Sequence, residues 1–210
     1  MDYEFDFGSR HVRGGVVDDA AVMAGKVIIP CQTHGCRIAV IDGEGKVPAL
    51  DDTDGIISLA PDIRIGVRTA DCVPIVLFAP DIMAVAAVHA GWKGTLGGIA
   101  DVAVEKLGML GASPAAMMAC FGPGICGGCY EVSHELAGDF ASAGFSDSVI
   151  GERNVDLEAV NISRLVAAGV LPANIHPRRY CTLETPAFPS WRRNYTTRRL
   201  LTWVGLVSGD

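Results

Sequence analysis

Residues 68–95, RTADCVPIVLFAPDIMAVAAVHAGWKGT, contain the clearest structural signal in the chain. Two apolar runs, 73–79 and 82–88, are separated here by the dipeptide Pro80-Asp81. Runs of this length, rich in apolar and β-branched residues and broken by a turn dipeptide, predict two strands joined by a tight hairpin. We therefore expect a hairpin whose two strands are both buried.

A two-residue loop at Pro80-Asp81 would determine the pairing of this hairpin. Ala79 then lies opposite Ile82, and the same register puts Cys72 directly across from His89. Cross-strand neighbours have Cβ atoms roughly 4.5–5.5 Å apart, close enough for both side chains to bind one ion. A β-bulge would shift the register by one residue and separate the pair. The hairpin thus predicts a thiolate and an imidazole at one site.

The sequences next to Cys72 and His89 favour a chemical site over a structural one. Either residue alone would be interpreted as part of the core, since free cysteine is among the most buried residue types. However, burial in a core does not explain the polar residues of Thr-Ala-Asp before the first strand. It also does not explain His-Ala-Gly-Trp-Lys-Gly-Thr at the end of the second. Asp71 places a carboxylate beside the thiol, and His34 in the loop Gln32-Thr33-His34-Gly35 is a third metal-capable side chain. A lone loop histidine is as often an ordinary surface residue, so its role depends on its partners.

Composition and charge argue against several classes of protein. With 210 residues, 50% of them hydrophobic and 20% charged, the chain has the balance of a globular domain. The net charge of −7 argues against nucleic-acid and anionic-membrane partners. The longest apolar runs have about seven residues, well short of the roughly 20 that span a bilayer. Seven cysteines, without an apolar export segment at the start, indicate reduced thiols and a cytoplasmic location.

Strand-like and helix-like segments occur in mixed order along the chain. This order predicts a single α/β (α+β) domain over residues 1–210, with mixed β-sheets covered by helices in layers. Helices are expected to begin after the N-caps Thr95, Ser133 and Asp156. The acidic segment 42–54 is expected to be a solvated loop. The oligomeric state is left open by the sequence.

The pair Cys126-x-x-Cys129 has the spacing of a redox dithiol or of half a zinc site. A second CxxC motif is missing, and the flanking glycines do not mark the start of a helix. The sequence supplies no obvious metal partner for Cys126. Both interpretations of the pair remain open at this point.

Two further features are candidates for binding an anion. Gly122-Pro123-Gly124 follows a predicted strand, and its backbone N–H groups either cradle an anion or form a plain turn. Four arginines are concentrated near the end of an otherwise acidic chain, at Arg192, Arg193, Arg198 and Arg199. They form either a solvated charged surface or a binding site for phosphate, which arginine binds in a bidentate manner.

A set of motifs spread over nearly the whole chain establishes a family resemblance. These motifs are Gln32-Thr33-His34-Gly35, Thr69-Ala70-Asp71-Cys72-Val73-Pro74, His89-Ala90-Gly91-Trp92-Lys93-Gly94, Gly122-Pro123-Gly124-Ile125, Cys129-Tyr130-Glu131-Val132, Cys181-Thr182 and Ser190-Trp191-Arg192-Arg193 with Arg198. With them the chain resembles the laccase-domain family, also described as peptidoglycan editing factors and as purine nucleoside phosphorylases. The resemblance implies one zinc ion bound by His34, Cys72 and His89. The chain departs from the family pattern in a shorter segment before Gln32 and in Cys126, where glycine is commoner.

The resemblance also implies an activity and its substrates. It implies phosphorolysis of the purine nucleosides adenosine and inosine, with methylthioadenosine as a further candidate, and deamination of adenosine at the same site. The small-molecule partners are therefore a nucleoside and phosphate. The catalytic set is Asp71, chosen for proton transfer because it lies beside the metal, together with the three ligands His34, Cys72 and His89. The candidate substrate contacts are Arg10, Arg68, Lys93, Gly122 and Arg192.

Other functions compatible with the same residues stay open. Three protein ligands and an open position are typical of a catalytic zinc, which polarises an oxygen or lowers the pKa of bound water towards ~7. The runner-up is an amidase that edits cell-wall precursors, with zinc-bound water or Cys72 as the nucleophile. Copper-dependent phenol oxidation is a third possibility, because a His₂Cys set also suits copper, but multicopper oxidases need far more than five histidines. A fourth protein ligand would instead indicate a metal-stabilised binding module.

Overall fold

The computed structural model describes residues 3–18, 27–44 and 46–208. Its strands are β1 (Tyr3–Glu4), β2 (Val12–Asp18), β3 (Ile38–Ile41), β4 (Gly55–Ser58), β5 (Arg64–Thr69), β6 (Val73–Ala79), β7 (Ala84–Ala90), β8 (Met118–Phe121), β9 (Val149–Ile150), β10 (Asn154–Val155), β11 (Ile175–His176) and β12 (Leu200–Leu206). Its α-helices are α1 (Trp92–Leu96), α2 (Ile99–Met109), α3 (His134–Phe140), α4 (Leu157–Ala167) and α5 (Trp191–Asn194). Short 3₁₀ turns lie at Pro114–Ala116, Gly127–Cys129, Ser146–Ser148 and Pro172–Asn174, and a π-helical segment lies at Ala141–Phe145.

The elements form a layered α+β arrangement, as predicted. A six-stranded mixed sheet has the order β11-β8-β6-β7-β4-β3, and a four-stranded antiparallel sheet has the order β1-β2-β12-β5. Strands β9 and β10 form a separate two-stranded sheet. One hydrophobic cluster joins the six-stranded sheet to helices α2, α3 and α4, and a second joins it to the four-stranded sheet. The central sheet is therefore covered by helices on one face and by strands on the other.

The predicted hairpin is confirmed as β6 and β7, at the middle of the six-stranded sheet. Every residue of both strands is buried. Ile75 and Leu77 pack with the helices, whereas Val76 and Phe78 pack with the second sheet. Both faces of the hairpin are covered, so its sequence is continuously apolar instead of alternating with polar residues.

The predicted register of the hairpin is wrong by two residues. The turn comprises residues 80–83, with Met83 at φ 49°, instead of the two residues expected. His89 consequently pairs with Pro74, and Cys72 lies just beyond the paired residues. Side chains on a strand alternate between faces, so a shift of two leaves Cys72 and His89 on the same face. Diagonal neighbours of this kind are still within contact, so the two side chains meet.

Two of the three predicted helix caps are confirmed. The Ser133 hydroxyl accepts a hydrogen bond from the backbone N–H of Leu136 at the start of α3. The Asp156 carboxylate accepts hydrogen bonds from the N–H groups of Glu158 and Ala159 at the start of α4. Both caps are local features of sequence, which explains why they could be predicted.

The cap predicted at Thr95 is wrong, because Thr95 lies inside α1 and is fully buried. Its hydroxyl accepts a hydrogen bond from Asn161 Nδ2 at 2.9 Å, which joins α1 to α4. Helix α2 begins after Gly98, whose φ of 85° is in the left-handed region that favours glycine. No helix among the described residues is long and apolar enough to span a bilayer.

The pairing of β4 with β7 determines one important neighbour of His89. Asp54 directly precedes β4, and Gly55 pairs with Val88 in antiparallel fashion. The His89 N–H donates to the Asp54 carbonyl oxygen at 2.7 Å, so Asp54 is held beside His89. The prediction that 42–54 is a solvated loop is wrong at its end, where Thr53 and Asp54 are fully buried.

Candidate metal centre and its pocket

Three metal-capable side chains meet at one end of the central strands β6 and β7. Cys72 directly precedes β6, His89 lies near the end of β7, and His34 belongs to the loop before β3. One ligand atom from each residue lies within 4.8 Å of the others. The two imidazole rings are edge to face, with centroids 4.7 Å apart. The structure thus brings together the three ligands that the family resemblance implied.

The His34 loop is held in place by the carboxylate of Asp54. Asp54 Oδ1 accepts a hydrogen bond from the His34 N–H at 2.8 Å, and Oδ2 accepts hydrogen bonds from the N–H groups of Gly35 at 2.7 Å and Thr33 at 3.1 Å. His34 itself has a φ of 66°, which is uncommon for a residue with a side chain. The carboxylate therefore stabilises a loop conformation that turns the imidazole towards Cys72.

Asp54 also orients the second imidazole. Its Oδ1 lies 2.7 Å from His89 Nδ1, and both side chains are buried. The other ring nitrogen, Nε2, is left to face the thiol of Cys72, with which His89 also forms a hydrogen bond. Carboxylate–histidine pairs of this kind fix the tautomer and direction of metal-binding imidazoles. Asp54 is not among the residues predicted from the sequence, although it directly precedes the apolar strand GIIS.

The electrostatics of the cluster favour a thiolate. Burial disfavours the charged form of Cys72, but hydrogen bonds with His34 and His89 outweigh it and lower the pKa of the thiol to about 6. Burial also disfavours charged His89, yet its hydrogen bonds to Asp54 and Cys72 raise its pKa to about 9. The pKa of Asp54 is lowered because, against burial, it accepts hydrogen bonds from His89 and the loop N–H groups. Cys72 is therefore ready to act as a ligand, and a metal would displace the proton from His89.

Glycine at position 91 gives the cluster the space that it needs. A Cβ atom there would lie 2.8 Å from His34 Cδ2 and 3.2 Å from Cys72 Sγ. Gly94 allows the loop of His34 to approach closely, because a Cβ at that position would lie 2.9 Å from the carbonyl oxygen of Gly35. These contacts explain the glycines of the His-Ala-Gly-Trp-Lys-Gly motif as steric requirements of the loop that carries His34.

The chemistry of the donors fits a zinc ion. Zinc binds cysteine sulfur and histidine nitrogen, and catalytic zinc sites keep three protein ligands and one open position. Cys72 and His89 are partly or fully buried, whereas His34 is exposed on the side of the adjoining pocket. These three residues would hold the ion, and all three line the adjoining pocket.

A pocket of about 680 Å³ adjoins the three ligands. This volume is within the range of small-molecule sites. Aromatic rings on its wall come from Trp92, Tyr130 and Trp191, and guanidinium groups come from Arg68, Arg192 and Arg199. The pocket thus combines stacking surfaces with positive charge beside the metal-capable cluster.

Of the five predicted substrate contacts, two line the pocket and three lie elsewhere. Arg68 and Arg192 line the pocket. Arg10 lines a separate surface depression. Lys93 Nζ lies 5.4 Å from the centroid of the Trp92 ring, outside the lining. Gly122 is a packing residue, because a Cβ there would lie 2.8 Å from Pro74 Cγ.

The four clustered arginines have different roles. The Arg193 guanidinium donates to the carbonyl oxygens of five residues, Thr182, Leu183, Thr185, Pro186 and Phe188, and so organises a loop. Arg198 forms an ion pair with Asp18. Arg192 and Arg199 are the two members of the group that line the pocket. Nη1 of Arg192 donates to the carbonyl oxygen of Glu131, and Nη1 of Arg199 donates to the carbonyl oxygens of Thr196 and Arg198. These two guanidinium groups are thus held at the pocket wall by backbone hydrogen bonds.

Asp71 lies in the pocket wall with both carboxylate oxygens engaged. Oδ1 accepts a hydrogen bond from Thr182 Oγ1 at 2.7 Å, and Oδ2 accepts one from the backbone N–H of Arg192 at 2.6 Å. Its own backbone has a φ of 87°, and its carbonyl oxygen accepts a hydrogen bond from the Ile125 N–H. Asp71 is thus a rigidly held acid next to Cys72.

Known proteins resemble this chain over almost its whole length. The family model described as Multi-copper polyphenol oxidoreductase laccase matches residues 11–207. Adenosine deaminase RL5, from an unknown prokaryotic organism, is 41% identical over 182 residues, which are 80% of this chain and 70% of that protein. Purine nucleoside phosphorylase ORF3 from Streptomyces griseus is 34% identical over 221 residues, covering 95% of this chain and 88% of that protein. The crystal structure of the hypothetical protein YfiH from Bacillus licheniformis has a TM-score of 0.83 at 26% identity and covers 93% of this chain and 92% of that one.

Proposed function

The chain belongs to the multi-copper polyphenol oxidoreductase laccase family, and from this premise we propose that it is a zinc-dependent purine nucleoside phosphorylase that also deaminates adenosine. Relatives with 34% and 41% identity bear the names of these two activities. The substrates proposed are inosine and adenosine together with phosphate, and methylthioadenosine is a further candidate.

The observation that supports this proposal most is the composition of the pocket wall. Trp92, Tyr130 and Trp191 offer aromatic faces on which a purine can stack. Arg68 and Arg192 line the same wall, and guanidinium groups suit phosphate. Nη1 of Arg192 is held by the carbonyl oxygen of Glu131, so its other N–H groups would meet the phosphate. A nucleoside phosphorylase must hold these two groups side by side, and both kinds of surface occur here next to one metal-capable cluster.

The metal would be bound by His34, Cys72 and His89. When bound, zinc would supply Lewis-acid polarisation of an oxygen atom in the pocket. Asp54 would keep both imidazoles in position through the hydrogen bonds described above. Cys72 would contribute a negative charge that partly neutralises the ion.

Proton transfer and phosphate binding are assigned to residues of the pocket wall. In phosphorolysis a phosphate oxygen attacks the anomeric carbon while the purine leaves, so the departing base must gain a proton. We assign this transfer to the carboxylate of Asp71, which is fixed by Thr182 and by the backbone N–H of Arg192. It would accept the proton that the attacking hydrogen phosphate loses and pass it to the departing purine. The Arg192 guanidinium lies 5.1 Å from the centroid of the Tyr130 ring, which would place the phosphate next to the stacking surface.

The experiment is an assay of inosine with and without phosphate. We expect hypoxanthine and ribose 1-phosphate to appear only when phosphate is present. A separate assay without phosphate should convert adenosine to inosine and ammonia. Hypoxanthine release that is independent of phosphate would indicate hydrolysis and would contradict the proposed phosphorolysis.

One observation favours a second candidate, an amidase acting on cell-wall precursors. Cys72, His89 and Asp54 form a chain of hydrogen bonds with the order of a cysteine nucleophile, its base and an orienting carboxylate. A tightly bound metal ligand is not a free nucleophile, so the two functions exclude each other at Cys72. Amide hydrolysis that persists in metal-free protein would support the second candidate.

Copper-dependent phenol oxidation, which the family description suggests, is supported less well by the residues. The chain has five histidines. Among the described residues, His34 and His89 are the two that belong to a metal-capable cluster. A single His₂Cys set suits one copper ion, but it supplies too few ligands for several.

A further inference from the structure

A second group of metal-capable side chains lies outside the site described above. It consists of Cys126, Cys129, Cys181 and Glu184, whose ligand atoms all lie within 4.8 Å of one another. Cys126 directly precedes the 3₁₀ turn Gly127–Cys129 that follows β8, and Cys129 is its last residue. Cys181 and Glu184 follow β11 in the chain. The group shares no residue with the His34, Cys72 and His89 cluster.

The backbone around these residues is organised so that the donor atoms converge. The Cys126 N–H donates a hydrogen bond to Cys181 Sγ at 3.3 Å, which stabilises negative charge on that sulfur. The Cys129 N–H donates to the Cys126 carbonyl oxygen at 3.0 Å, which closes the turn between the two cysteines. Gly124 and Cys181 form a parallel bridge, and the Thr182 N–H donates to the Gly124 carbonyl oxygen. The two segments are thus joined at the point where the thiols meet.

The donor atoms are close enough together for a small rearrangement to form a tetrahedral zinc site. With Zn–S bonds of ~2.3 Å and Zn–O bonds of ~2.1 Å, a tetrahedron has S···S edges of ~3.8 Å and S···O edges of ~3.6 Å. Cys126 Sγ lies 3.9 Å from Glu184 Oε2, and no pair of donor atoms is further apart than 4.8 Å. Zinc accepts cysteine and carboxylate ligands, and four protein ligands are typical of structural sites.

A redox dithiol explains the group less well. A disulfide would join two of the three sulfurs and leave the third thiol and the carboxylate without a role. Among the described residues all seven cysteines are free. Three thiols and a carboxylate that converge on one point are groups that repel each other when ionised, and a cation removes this repulsion. The missing second half of the Cys126-x-x-Cys129 motif is therefore Cys181-x-x-Glu184.

We propose that Cys126, Cys129, Cys181 and Glu184 bind a second zinc ion in a closed, structural site. Cys126 and Cys181 are 55 positions apart in the chain, so the ion would cross-link two distant segments. Linking segments this far apart stabilises a fold by reducing the entropy of the unfolded chain. This ion takes no part in the chemistry of the pocket.

The cross-link would also support the pocket wall. Thr182, next to Cys181, donates its hydroxyl hydrogen bond to Asp71, and the carbonyl oxygen of Thr182 accepts one from Arg193. The Asp71 carbonyl oxygen in turn accepts a hydrogen bond from Ile125, next to Cys126. Both segments that hold the second ion thus contact Asp71 directly.

The test is the zinc content of the purified full-length chain, measured by mass spectrometry of the metal. We expect two zinc ions per chain in the wild type and one in the double variant Cys126→Ser, Cys129→Ser. Cys72→Ser should also retain one, but at the other site. Cys31→Ser is the matched control, because Cys31 is exposed and belongs to neither cluster, and it should keep two. One zinc ion in the wild type that is unchanged in the double variant would overturn the proposal.

Two further measurements keep the proposal testable if the double variant does not fold. The conservative variant Glu184→Gln, at an exposed position, should release one zinc ion to a chelator faster than the wild type does. Cobalt substituted into the Cys72→Ser variant should give the intense thiolate absorption of a tetrahedral site with three sulfur ligands. Unchanged zinc release in Glu184→Gln, or a disulfide between any two of the three cysteines in freshly purified protein, would overturn the proposal.

Discussion

Asp54 Oδ1 lies 2.7 Å from His89 Nδ1, and both groups are buried. The pKa of Asp54 is lowered, so the carboxylate is ionised and can only accept. Nδ1 therefore donates the proton, which leaves Nε2 as the atom that can bind a metal. Because the same carboxylate also accepts hydrogen bonds from the His34 loop, one buried side chain orients two of the three proposed ligands.

Replacing Asp54 should weaken zinc binding without removing a ligand. In Asp54→Asn the amide accepts fewer of the loop hydrogen bonds, and its interaction with His89 loses the charge. We expect the affinity for zinc at this site to fall by about 10–100-fold, the usual effect of losing such an outer partner. Competition with a chromophoric chelator measures the change. Asp51→Asn, at an exposed neighbouring position, is the control, and equal affinities in the two variants would contradict the assigned role.

Adding one methyl group at Gly91 should displace a ligand. The new Cβ in Gly91→Ala would lie 2.8 Å from His34 Cδ2, closer than carbon atoms pack, so the imidazole must move. We expect loss of zinc from this site and loss of nucleoside phosphorolysis, with the circular dichroism spectrum preserved. Gly138→Ala, in helix α3 where a Cβ meets no atom within 4 Å, should leave zinc content and activity at wild-type levels. Full zinc content in Gly91→Ala would show that His34 is not constrained as proposed.

The reactivity of Cys72 in metal-free protein should depend on pH with an unusually low midpoint. Hydrogen bonds lower the pKa of the Cys72 thiol from its ordinary 9.0 to about 6, so the thiolate predominates above about pH 6. The pKa of His89 is raised to about 9, so a thiolate–imidazolium pair is present between these two pH values and is lost on either side. Alkylation of Cys72 followed by peptide mass spectrometry should therefore increase around pH 6. In His89→Ala the midpoint should move up, and a wild-type midpoint near 9 would refute the assignment.

Removing the acid at Asp71 should slow phosphorolysis without removing the metal. We expect Asp71→Asn to reduce kcat by a factor of about 10²–10⁴, the usual contribution of a positioned proton-transfer group, with unchanged zinc content. Thr182→Val removes one hydrogen bond to the carboxylate but keeps the acid, so its effect should be much smaller. The two variants should also differ in kcat at saturating substrate, because only Asp71→Asn removes the carboxylate itself. Equal losses in both variants would mean that Asp71 has a structural role alone.

Replacing an arginine that lines the pocket should weaken phosphate binding, whereas replacing one outside the pocket should not. Arg68→Ala should raise the KM for phosphate by about 10–100-fold, which corresponds to the loss of one hydrogen bond to a charged group. Arg10→Ala, which alters a different surface depression, should leave that KM unchanged. Initial rates at saturating inosine and varied phosphate measure both values. A raised KM in Arg10→Ala would support the substrate contact that the family resemblance implies for Arg10.

Local features of the fold could be predicted from the sequence because they depend on neighbouring residues. The buried hairpin β6–β7 follows from two continuous apolar runs and a turn. The caps Ser133 and Asp156 follow from a side chain that bonds to N–H groups two or three positions away. The register of the hairpin does not follow, because the residues between the two apolar runs are compatible with a turn of two or of four residues, and the structure has four. The error of two residues did not change which face of the sheet Cys72 and His89 lie on, because side chains on a strand alternate with a period of two.

The proposed ligands His34, Cys72 and His89 were available from the sequence as motifs, whereas the residues that organise them were not. Asp54 lies 35 positions from His89 in the chain, and only the pairing of β4 with β7 brings the two together. Cys181 and Glu184 likewise meet Cys126 and Cys129 only because two loops are joined by a backbone bridge. A motif records which residue types are adjacent in the chain, but contacts between distant segments depend on how sheets and loops pack. The tertiary structure alone therefore determined which carboxylate orients the imidazoles, which arginines face the pocket and which side chains complete the second cysteine cluster.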